Sequence, residues 1–407
     1  MSLDRAGVWG IMFLEDEHNA RRFPSPHIFR EEIMKLQRIG LLVVLTALLF
    51  SHGLASGPEL VSEVATEGQA VHGDILDGKL ILSSPQGFQV LTAGGKRAFE
   101  GTLGANQGLV FSDNGEYFGI TTYSKEASPG FLAADKFELH SSDGNKLWEI
   151  KDPGVSEFFI SKDAKVIVGI SGEEGGSESE ADFYGSKGNL VSATRIRSPQ
   201  GLDISPDGER ILINSAKDGL LLFERAGRLV GRFGPCDQFA ISSGGQYVAT
   251  ASEKTIRLQE VGKPPRELKQ ATSPVRSLCF SPDNKYLGAI DKANLFLFEV
   301  ETAKLLWQHT LEQPELSFVS LDLCAGGERT IAGLDFDNGG DVPAAERHTK
   351  GLVYLFDKQG GLIWQSEVSY TLWGAVFPLV KISGDGSRFS IVTREKVYLY
   401  TNVLPQE

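Results

Sequence analysis

The chain has 407 residues, of which 41% are hydrophobic and 9% aromatic. That composition fits a folded globular protein and excludes a disordered or fibrous one. The 40 basic and 53 acidic side chains give a net charge of −13, and Lys and Arg form no clustered stripe. An acidic surface repels phosphate, so we do not expect nucleic-acid binding.

The first feature along the chain is a candidate export signal. A basic start at Met34–Arg38 precedes an apolar run over residues 39–50, and small residues follow up to Ala55. This order is typical of a secretory signal peptide, and the apolar run is shorter than the roughly 20 residues of a membrane span. We therefore expect a signal peptide over residues 34–55, cleavage after Ala55, and a periplasmic or extracellular protein. An uncleaved signal anchor that tethers the protein to a membrane is the alternative.

Residues 1–33 have mixed charge and no clear period. We expect translation to start at Met34, which would make this stretch a non-native upstream extension or a disordered tail. The remainder, residues 56–407, is expected to form one domain.

A short phrase recurs along this domain. An apolar pair and a Ser, or once a Cys, precede a turn that contains Asp or Gly, followed by another apolar run. In such turns Pro presets φ, Asp bonds the local backbone and Gly takes the positive φ. The spacing of roughly 40 to 60 residues is typical of propeller blades with insertions. The seven copies begin at Val110, Phe159, Asp203, Ala240, Cys279, Asp322 and Lys381.

A second phrase closes several of these units with a strand, a turn and an outer strand that reaches a Trp. It covers Leu139–Trp148, Leu297–Trp307 and Leu355–Trp364. The two phrases together predict four strands per unit. A sheet of that size cannot bury both faces alone, so the units must stack around an axis as a β-propeller, with the Trp side chains between blades.

The number of blades depends on a weaker unit between His72 and Thr102. With it the all-β fold has eight four-stranded blades, and without it seven. The last unit supplies only three strands before it ends at Thr401. We expect Glu59–Ala65 to add the missing outer strand and close the ring, which removes a sheet edge.

Two family resemblances support this architecture. The stretch Ser277–Leu287, followed by Leu295–Glu299, resembles a blade of a WD-repeat protein, although it lacks the Trp-Asp dipeptide and the Gly-His pair of that family. The Lys-Leu-Trp and Leu-Ile-Trp endings resemble the tryptophan-docked blades of quinoprotein-like propellers. Both resemblances imply a propeller and extend over nearly all of residues 60–407.

Three long insertions are predicted in loops between the second and third strands of their blades, at residues 124–135, 172–181 and 336–350. Such loops all lie on one face of a propeller, and long loops on a rigid scaffold mark a binding side. We therefore expect a protein or peptide partner on this face, bound by a monomeric scaffold. The candidate contact residues are Phe131, Glu173, Glu174, Arg347, His348, Tyr370 and Trp373.

One of these insertions contains a possible cation site. Asp335, Asp337 and Asp341 alternate with Asn and Gly in the manner of a calcium loop. Gly339 stands where a further oxygen ligand is expected, and no Glu closes the loop at the right distance. We expect no cofactor, with calcium at these three carboxylates as the alternative.

The sequence shows no nucleophile elbow, no His-Glu-x-x-His pair and no Gly-rich phosphate loop, so we expect no enzymatic activity. The alternative is a propeller that binds a small molecule or a quinone cofactor, including a dehydrogenase-like enzyme. Cys236, Cys279 and Cys324 lack zinc-site spacing and are expected as small buried side chains, with one disulfide left open.

Overall fold

The computed structural model describes residues 57–402, except for 67–68, 74–75, 77–78, 93–94, 124–132, 172–178, 337–349 and 370–377. Over this part the chain forms 32 β-strands and two short 3-10 helices, Ser243–Gly245 and Ala325–Gly327. Within the same residues no helix is long and apolar enough to cross a membrane. The predicted signal segment lies outside the described residues.

The described strands form eight four-stranded sheets, and each sheet is one blade of a ring. In blades 1 to 7 the strands are hydrogen-bonded in chain order, and we name them A to D from the inside of the ring outward. Blades 1 to 3 comprise β2 (Ala70–Gly73), β3 (Leu80–Ser84), β4 (Gly87–Leu91), β5 (Arg97–Thr102); β6 (Gln107–Phe111), β7 (Tyr117–Tyr123), β8 (Ala134–Ser141), β9 (Lys146–Lys151); and β10 (Glu157–Ile160), β11 (Val166–Ser171), β12 (Ser179–Gly185), β13 (Leu190–Ile196).

The next four blades repeat the same arrangement. They comprise β14 (Pro199–Ile204), β15 (Arg210–Ser215), β16 (Gly219–Glu224), β17 (Leu229–Phe233); β18 (Gln238–Ile241), β19 (Tyr247–Ser252), β20 (Thr255–Glu260), β21 (Arg266–Gln270); β22 (Ser277–Phe280), β23 (Tyr286–Ile290), β24 (Asn294–Glu299), β25 (Lys304–Thr310); and β26 (Leu316–Leu323), β27 (Arg329–Phe336), β28 (Lys350–Asp357), β29 (Leu362–Ser369).

The eighth blade joins the two ends of the domain. Its inner strands are β30 (Leu379–Ile382), β31 (Arg388–Val392) and β32 (Lys396–Thr401), and its outer strand is β1 (Glu59–Ala65). The strands β1 and β32 pair antiparallel, with Glu59 opposite Thr401 and Ala65 opposite Lys396. The predicted eight blades and N-terminal closing strand are therefore confirmed, and the seven-blade alternative is wrong.

The core lies between blades. One cluster of fully buried side chains joins Leu258 of blade 5 to Leu287, Phe296 and Phe298 of blade 6. Strands B and C are covered on both faces by neighbouring blades, so β16 reads as an almost unbroken apolar run rather than an alternating one. Each blade thus depends on its neighbours for burial of its apolar side chains.

The recurrent Ser is a structural residue in the turn from strand A to strand B. Its buried hydroxyl accepts the backbone N–H of the residue five positions later, at 2.9–3.0 Å, and in most copies donates to an Asp or Asn side chain two positions later. The bonded pairs are Ser112–Tyr117, Ser161–Val166, Ser205–Arg210, Ser242–Tyr247, Ser281–Tyr286 and Ser383–Arg388.

Blade 7 has Cys324 at the position of this Ser. The buried Sγ atom accepts the N–H of Arg329 at 3.1 Å, so the thiol replaces the hydroxyl as acceptor. The neighbouring turns are also linked directly. Gly326 of blade 7 donates its N–H to the Asp283 carboxylate of blade 6 at 2.9 Å.

The Trp of the second phrase packs across the seam to the next blade, as predicted. Trp307 of blade 6 donates its Nε1–H to the backbone oxygen of Lys358 in blade 7 at 3.1 Å. Trp364 of blade 7 lies 5.3 Å from Phe389 and 5.5 Å from Tyr400 of blade 8, measured between ring centroids. These contacts fix the outer part of the seams between blades 6 and 7 and between blades 7 and 8.

Every outer strand also contains a one-residue bulge, which the sequence analysis missed. The register between strands C and D shifts by one residue in all eight described blades. A bulge on an edge strand increases its twist and blocks pairing with another sheet. The extra residues are Val61, Ala98, Leu147, Val191, Val230, Leu268, Leu306 and Ile363.

We predict that Ser281→Ala lowers the free energy of unfolding by about 1–3 kcal/mol, because it leaves the N–H of Tyr286 without its acceptor. Ser281→Cys should lose less, since Cys324 already performs this role in blade 7. Urea titration of both variants measures the difference. Ser243→Ala is the control, because the contact of Ser243 to Asn284 uses only its backbone. A loss in the control equal to that of Ser281→Ala would contradict the prediction.

Candidate functional site

The two ends of the blades form two different surfaces. The A–B and C–D turns lie at one end, which we call the turn face, and every such connection has at most six residues. The B–C and D–A connections lie at the other end, which we call the loop face. Four long connections leave from the loop face, over residues 124–133, 172–178, 337–349 and 370–378.

The predicted insertions therefore all connect strands B and C on the loop face, in blades 2, 3 and 7. Most of their residues lie outside the described part of the chain. The candidate residues to which this applies are Phe131, Glu173, Glu174, Asp337, Asp341, Arg347, His348, Tyr370 and Trp373. Their predicted roles as contacts or calcium ligands remain predictions.

Asp335 is the one predicted site residue that the structure describes. It is half-buried near the end of β27, where it pairs with Gly351 of β28. This position places its carboxylate next to the long connection of blade 7. Among the described residues, no group of three or more His, Cys, Asp and Glu side chains is arranged to hold a metal ion.

The loop face of blade 6 is braced by a buried carboxylate. Asp291, at the end of strand B, accepts the N–H and hydroxyl of Thr272 at 2.9 and 3.0 Å. It also accepts the N–H of Asn294 at 2.7 Å. Burial alone would raise the pKa of Asp291, but the hydrogen bonds from Asn294, Ala293 and Thr272 outweigh it and lower the pKa.

Similar bridges occur in the two preceding blades. In blade 4 the carboxylate of Asp218 accepts the N–H of Arg197 at 3.0 Å and pairs with its guanidinium. In blade 5 the carboxylate of Asp237 accepts the N–H of Glu253 at 2.6 Å. Each bridge ties a segment before strand A to the B–C turn of the same blade. The loop face is therefore rigid over blades 4 to 6.

A different pair of carboxylates lies on the innermost strands, around the central channel. Asp322 of blade 7 accepts the N–H of its neighbour Leu323 at 3.0 Å and that of Ile382 in blade 8 at 2.9 Å. Asp203 occupies the equivalent place in blade 4 and bonds the N–H groups of Ile204 and, in blade 5, Ile241. Each carboxylate thus binds a backbone N–H on the inner strand of the next blade.

Asp203 differs from an ordinary carboxylate in its acidity. Burial raises its pKa to about 7, and the Asp113 carboxylate acts in the same direction. The two N–H groups and the ammonium of Lys381 oppose this rise only in part. The inner wall of the ring therefore contains a carboxyl group that changes its charge close to neutral pH. Sequence analysis missed it because groups that act on its pKa, such as Asp113, Ile241 and Lys381, come from other blades.

A polar cavity of about 600 Å³ opens on the turn face between blades 2 and 3. Lys79 spans part of it and donates to the Ser142 hydroxyl at 2.8 Å, while that hydroxyl donates to Glu116 at 3.0 Å. Asp143 and Asp163 complete the acidic lining. Several polar groups that line this cavity already form hydrogen bonds with one another. They therefore hold neighbouring blades together, in addition to lining a possible ligand site.

The three cysteines form no disulfide, so the pairing left open by the sequence is absent. Cys324 is buried, and Cys236 and Cys279 are half-buried. Burial raises the pKa of the Cys236 thiol to about 12 and also raises that of Cys324. Thiols with such raised pKa values are weak nucleophiles at neutral pH.

We predict that Asp203 makes folding depend on pH. Because its pKa is about 7 in the folded protein and 3.8 in the reference state, the folded protein binds the extra proton as pH falls below 7. Between pH 8 and pH 5.5 the wild type should gain about 1–2 kcal/mol in the free energy of unfolding relative to Asp203→Asn. Urea titrations of both proteins at several pH values measure this, and identical pH profiles would contradict it.

Comparison with known proteins matches this architecture. The family model for the WD domain, G-beta repeat, matches residues 262–293, which run from the C–D turn of blade 5 to the B–C turn of blade 6. This match ends beside Asp291. A search of curated proteins finds no match.

Solved structures show the same fold over most of the chain. The C-terminal WD40 domain of Sif2 superposes with a TM-score of 0.58 at 10% identity, covering 87% of this chain and all of that one. BamB from Moraxella catarrhalis has a TM-score of 0.53 at 14% identity, covering 86% of this chain and all of that one. Hydrazine synthase from Kuenenia stuttgartiensis, at a TM-score of 0.42, is too distant to inform fold or function. The chain is an eight-bladed β-propeller whose fold is similar to those of the WD40 domain of Sif2 and of BamB, with one stretch, residues 262–293, that matches the WD-repeat model.

Proposed function

We propose that this protein is an exported, non-enzymatic scaffold that binds a protein or peptide partner on its loop face. The observation that carries the proposal is the asymmetry between the two faces. All four long connections leave from the loop face, whereas connections on the turn face have at most six residues. Binding residues concentrate on loops that a rigid scaffold holds in place.

The rigidity of the scaffold supports this reading. The carboxylates of Asp218, Asp237 and Asp291 brace the loop face of blades 4 to 6. The long connections belong to blades 2, 3 and 7 and to the passage into blade 8. A partner would therefore meet variable loops beside a fixed surface.

Photocrosslinking tests this proposal in the cell that makes the protein. We expect a photoreactive amino acid at the exposed loop-face positions Glu312 and Ser369 to capture a specific partner. The same amino acid at Asp143 and Lys187, which are exposed on the turn face, is the matched control. Crosslinks confined to the turn face, or none at either face, would refute loop-face binding.

A small-molecule site in the central channel is the second candidate function. The charged side chains of Asp203, Asp322 and Lys381 on the inner strands favour a polar channel. A rise in melting temperature of several degrees with micromolar quinone or calcium would favour this candidate over the scaffold.

Export is supported by the order of basic, apolar and small residues over 34–55. We expect the mature protein to begin at Ser56, just before β1, so that cleavage leaves the closing strand intact. N-terminal sequencing of the native protein measures this. A mature chain that retains residues 34–55 would point to the uncleaved anchor, and one that retains residues 1–33 would contradict a start at Met34.

A further inference from the structure

The loop-face end of blade 4 has a local excess of positive charge. Its connections and the last residues of strand D contain three cations, Arg197, Lys217 and Arg232, and one carboxylate, Asp218. We call the three cations the basic cluster. All three are exposed, whereas the protein as a whole has a net charge of −13. The basic cluster is therefore a positive patch on an acidic protein.

The two following blades do not present such a patch. Blade 6 has Arg276 and Lys292 against the buried Asp291, but both cations are only half-exposed, and Arg276 donates to the backbone oxygen of Phe318 at 3.1 Å. In blade 5 the same part of the blade contains equal numbers of basic and acidic side chains, which are Lys254, Lys269, Asp237 and Glu253.

Hydrogen bonds hold the loop-face end of blade 4 in one conformation. The Asp218 carboxylate accepts the backbone N–H of Arg197 at 3.0 Å and its Nε–H at 2.9 Å. The Ser215 hydroxyl donates to the backbone oxygen of Arg197 and accepts the N–H of Asp218 at 2.9 Å. Ala216 donates its N–H to the oxygen of Ser198 at 3.0 Å. A ligand meets cations on an ordered backbone, which lowers the entropy cost of binding.

Asp218 neutralises only part of the basic cluster. The hydrogen bond from the Arg197 side chain is the main cause that lowers the pKa of Asp218, and the charge of Arg232 acts in the same direction. Arg232 therefore lies near the same carboxylate. Within the described part of the chain, Asp218 forms its ion pair with Arg197, and neither Lys217 nor Arg232 forms one. These two cations remain available to a ligand.

The chemistry of the basic cluster favours carboxylates on a peptide. A guanidinium group binds a carboxylate through paired N–H donors, and clusters of Arg recognise acidic motifs. Three cations on one blade are too few to follow a polyanionic backbone, and the acidic remainder of the protein repels such a backbone. A short acidic segment needs only this local patch.

We propose that the basic cluster binds an acidic segment of the protein partner, which places several Asp or Glu side chains on the loop face of blade 4. This inference rests on the proposed loop-face binding and names the chemistry of the partner. Charge complementarity of this kind raises the association rate and selects among partners.

Fluorescence anisotropy with the full chain and a fluorescein-labelled octaglutamate peptide tests the basic cluster. At about 50 mM salt, where screening is weak, we expect Lys217→Glu with Arg232→Glu to weaken binding at least about tenfold, because like charges then face the peptide. The control, Lys96→Glu with Lys187→Glu, changes two exposed turn-face cations and the net charge equally, and its affinity should stay within about twofold. Lys217→Arg with Arg232→Lys keeps both charges and should keep the binding.

Three outcomes would overturn the proposal. The first is no binding of octaglutamate by the unsubstituted chain, or an equal loss in the charge-reversed and control variants. The second is tighter binding of a short duplex DNA than of octaglutamate, because the cluster would then prefer phosphate. The third is binding that appears only after Glu173, Glu174 and Glu178 are replaced by Gln, because the chain's own insertion would then occupy the cluster.

Photocrosslinking separates this inference from the proposed function. A photoreactive amino acid at Gln200, which is exposed at the loop-face end of blade 4, should capture a partner segment rich in Asp and Glu. Capture that is unchanged by Lys217→Glu with Arg232→Glu, or a captured segment of positive charge, would overturn the acidic contact and leave loop-face binding intact. Absence of capture at every loop-face position would refute the proposed function, while the anisotropy result would still decide whether the cluster binds acidic peptide.

Discussion

The structure depends on one constraint: each blade has two apolar faces, and a single blade cannot bury either of them by itself. Side chains of strands B and C in one blade become buried only when the next blade packs on them, as Leu258 and Phe298 do across the seam of blades 5 and 6. Burial of apolar area at every seam stabilises the ring only if the ring is complete. The pairing of β1 with β32 closes the ring, because it joins the first and last strands of the domain in one sheet.

A second constraint concerns the edges of the sheets. Each blade has an inner and an outer edge whose backbone groups lack a partner within the sheet. At the inner edge the carboxylates of Asp203 and Asp322 bond N–H groups of the following blade. At the outer edge the bulges twist the strand and expose an aliphatic residue such as Ile363. Side-chain carboxylates therefore bond backbone groups at the inner edges of the sheets, and backbone bulges disrupt further pairing at the outer edges.

These constraints divide the molecule into a frame of repeated contacts and connections of unequal length. The Ser hydroxyl recurs in six of the eight A–B turns and in five of them donates to an Asp or Asn, as Ser281 does to Asp283, so the turn face is short and uniform. The loop face has no such repeated turn, and it accommodates connections of very different length. A rigid ring with long connections on one face is suited to binding.

The repeat, the closing strand and an expected count of eight blades could be read from the sequence, because turns, apolar runs and Trp endings are local signals that recur; the structure excluded the alternative of seven blades. It placed the strands around Ser281 and the closing strand Glu59–Ala65 correctly, and it located the long insertions in B–C connections. The contacts between side chains across seams became visible only in the folded ring. The raised pKa of Asp203, the thiol of Cys324 in place of a hydroxyl and the bulges beside each Trp depend on neighbouring strands or blades, and no local pattern in the sequence encodes those contacts.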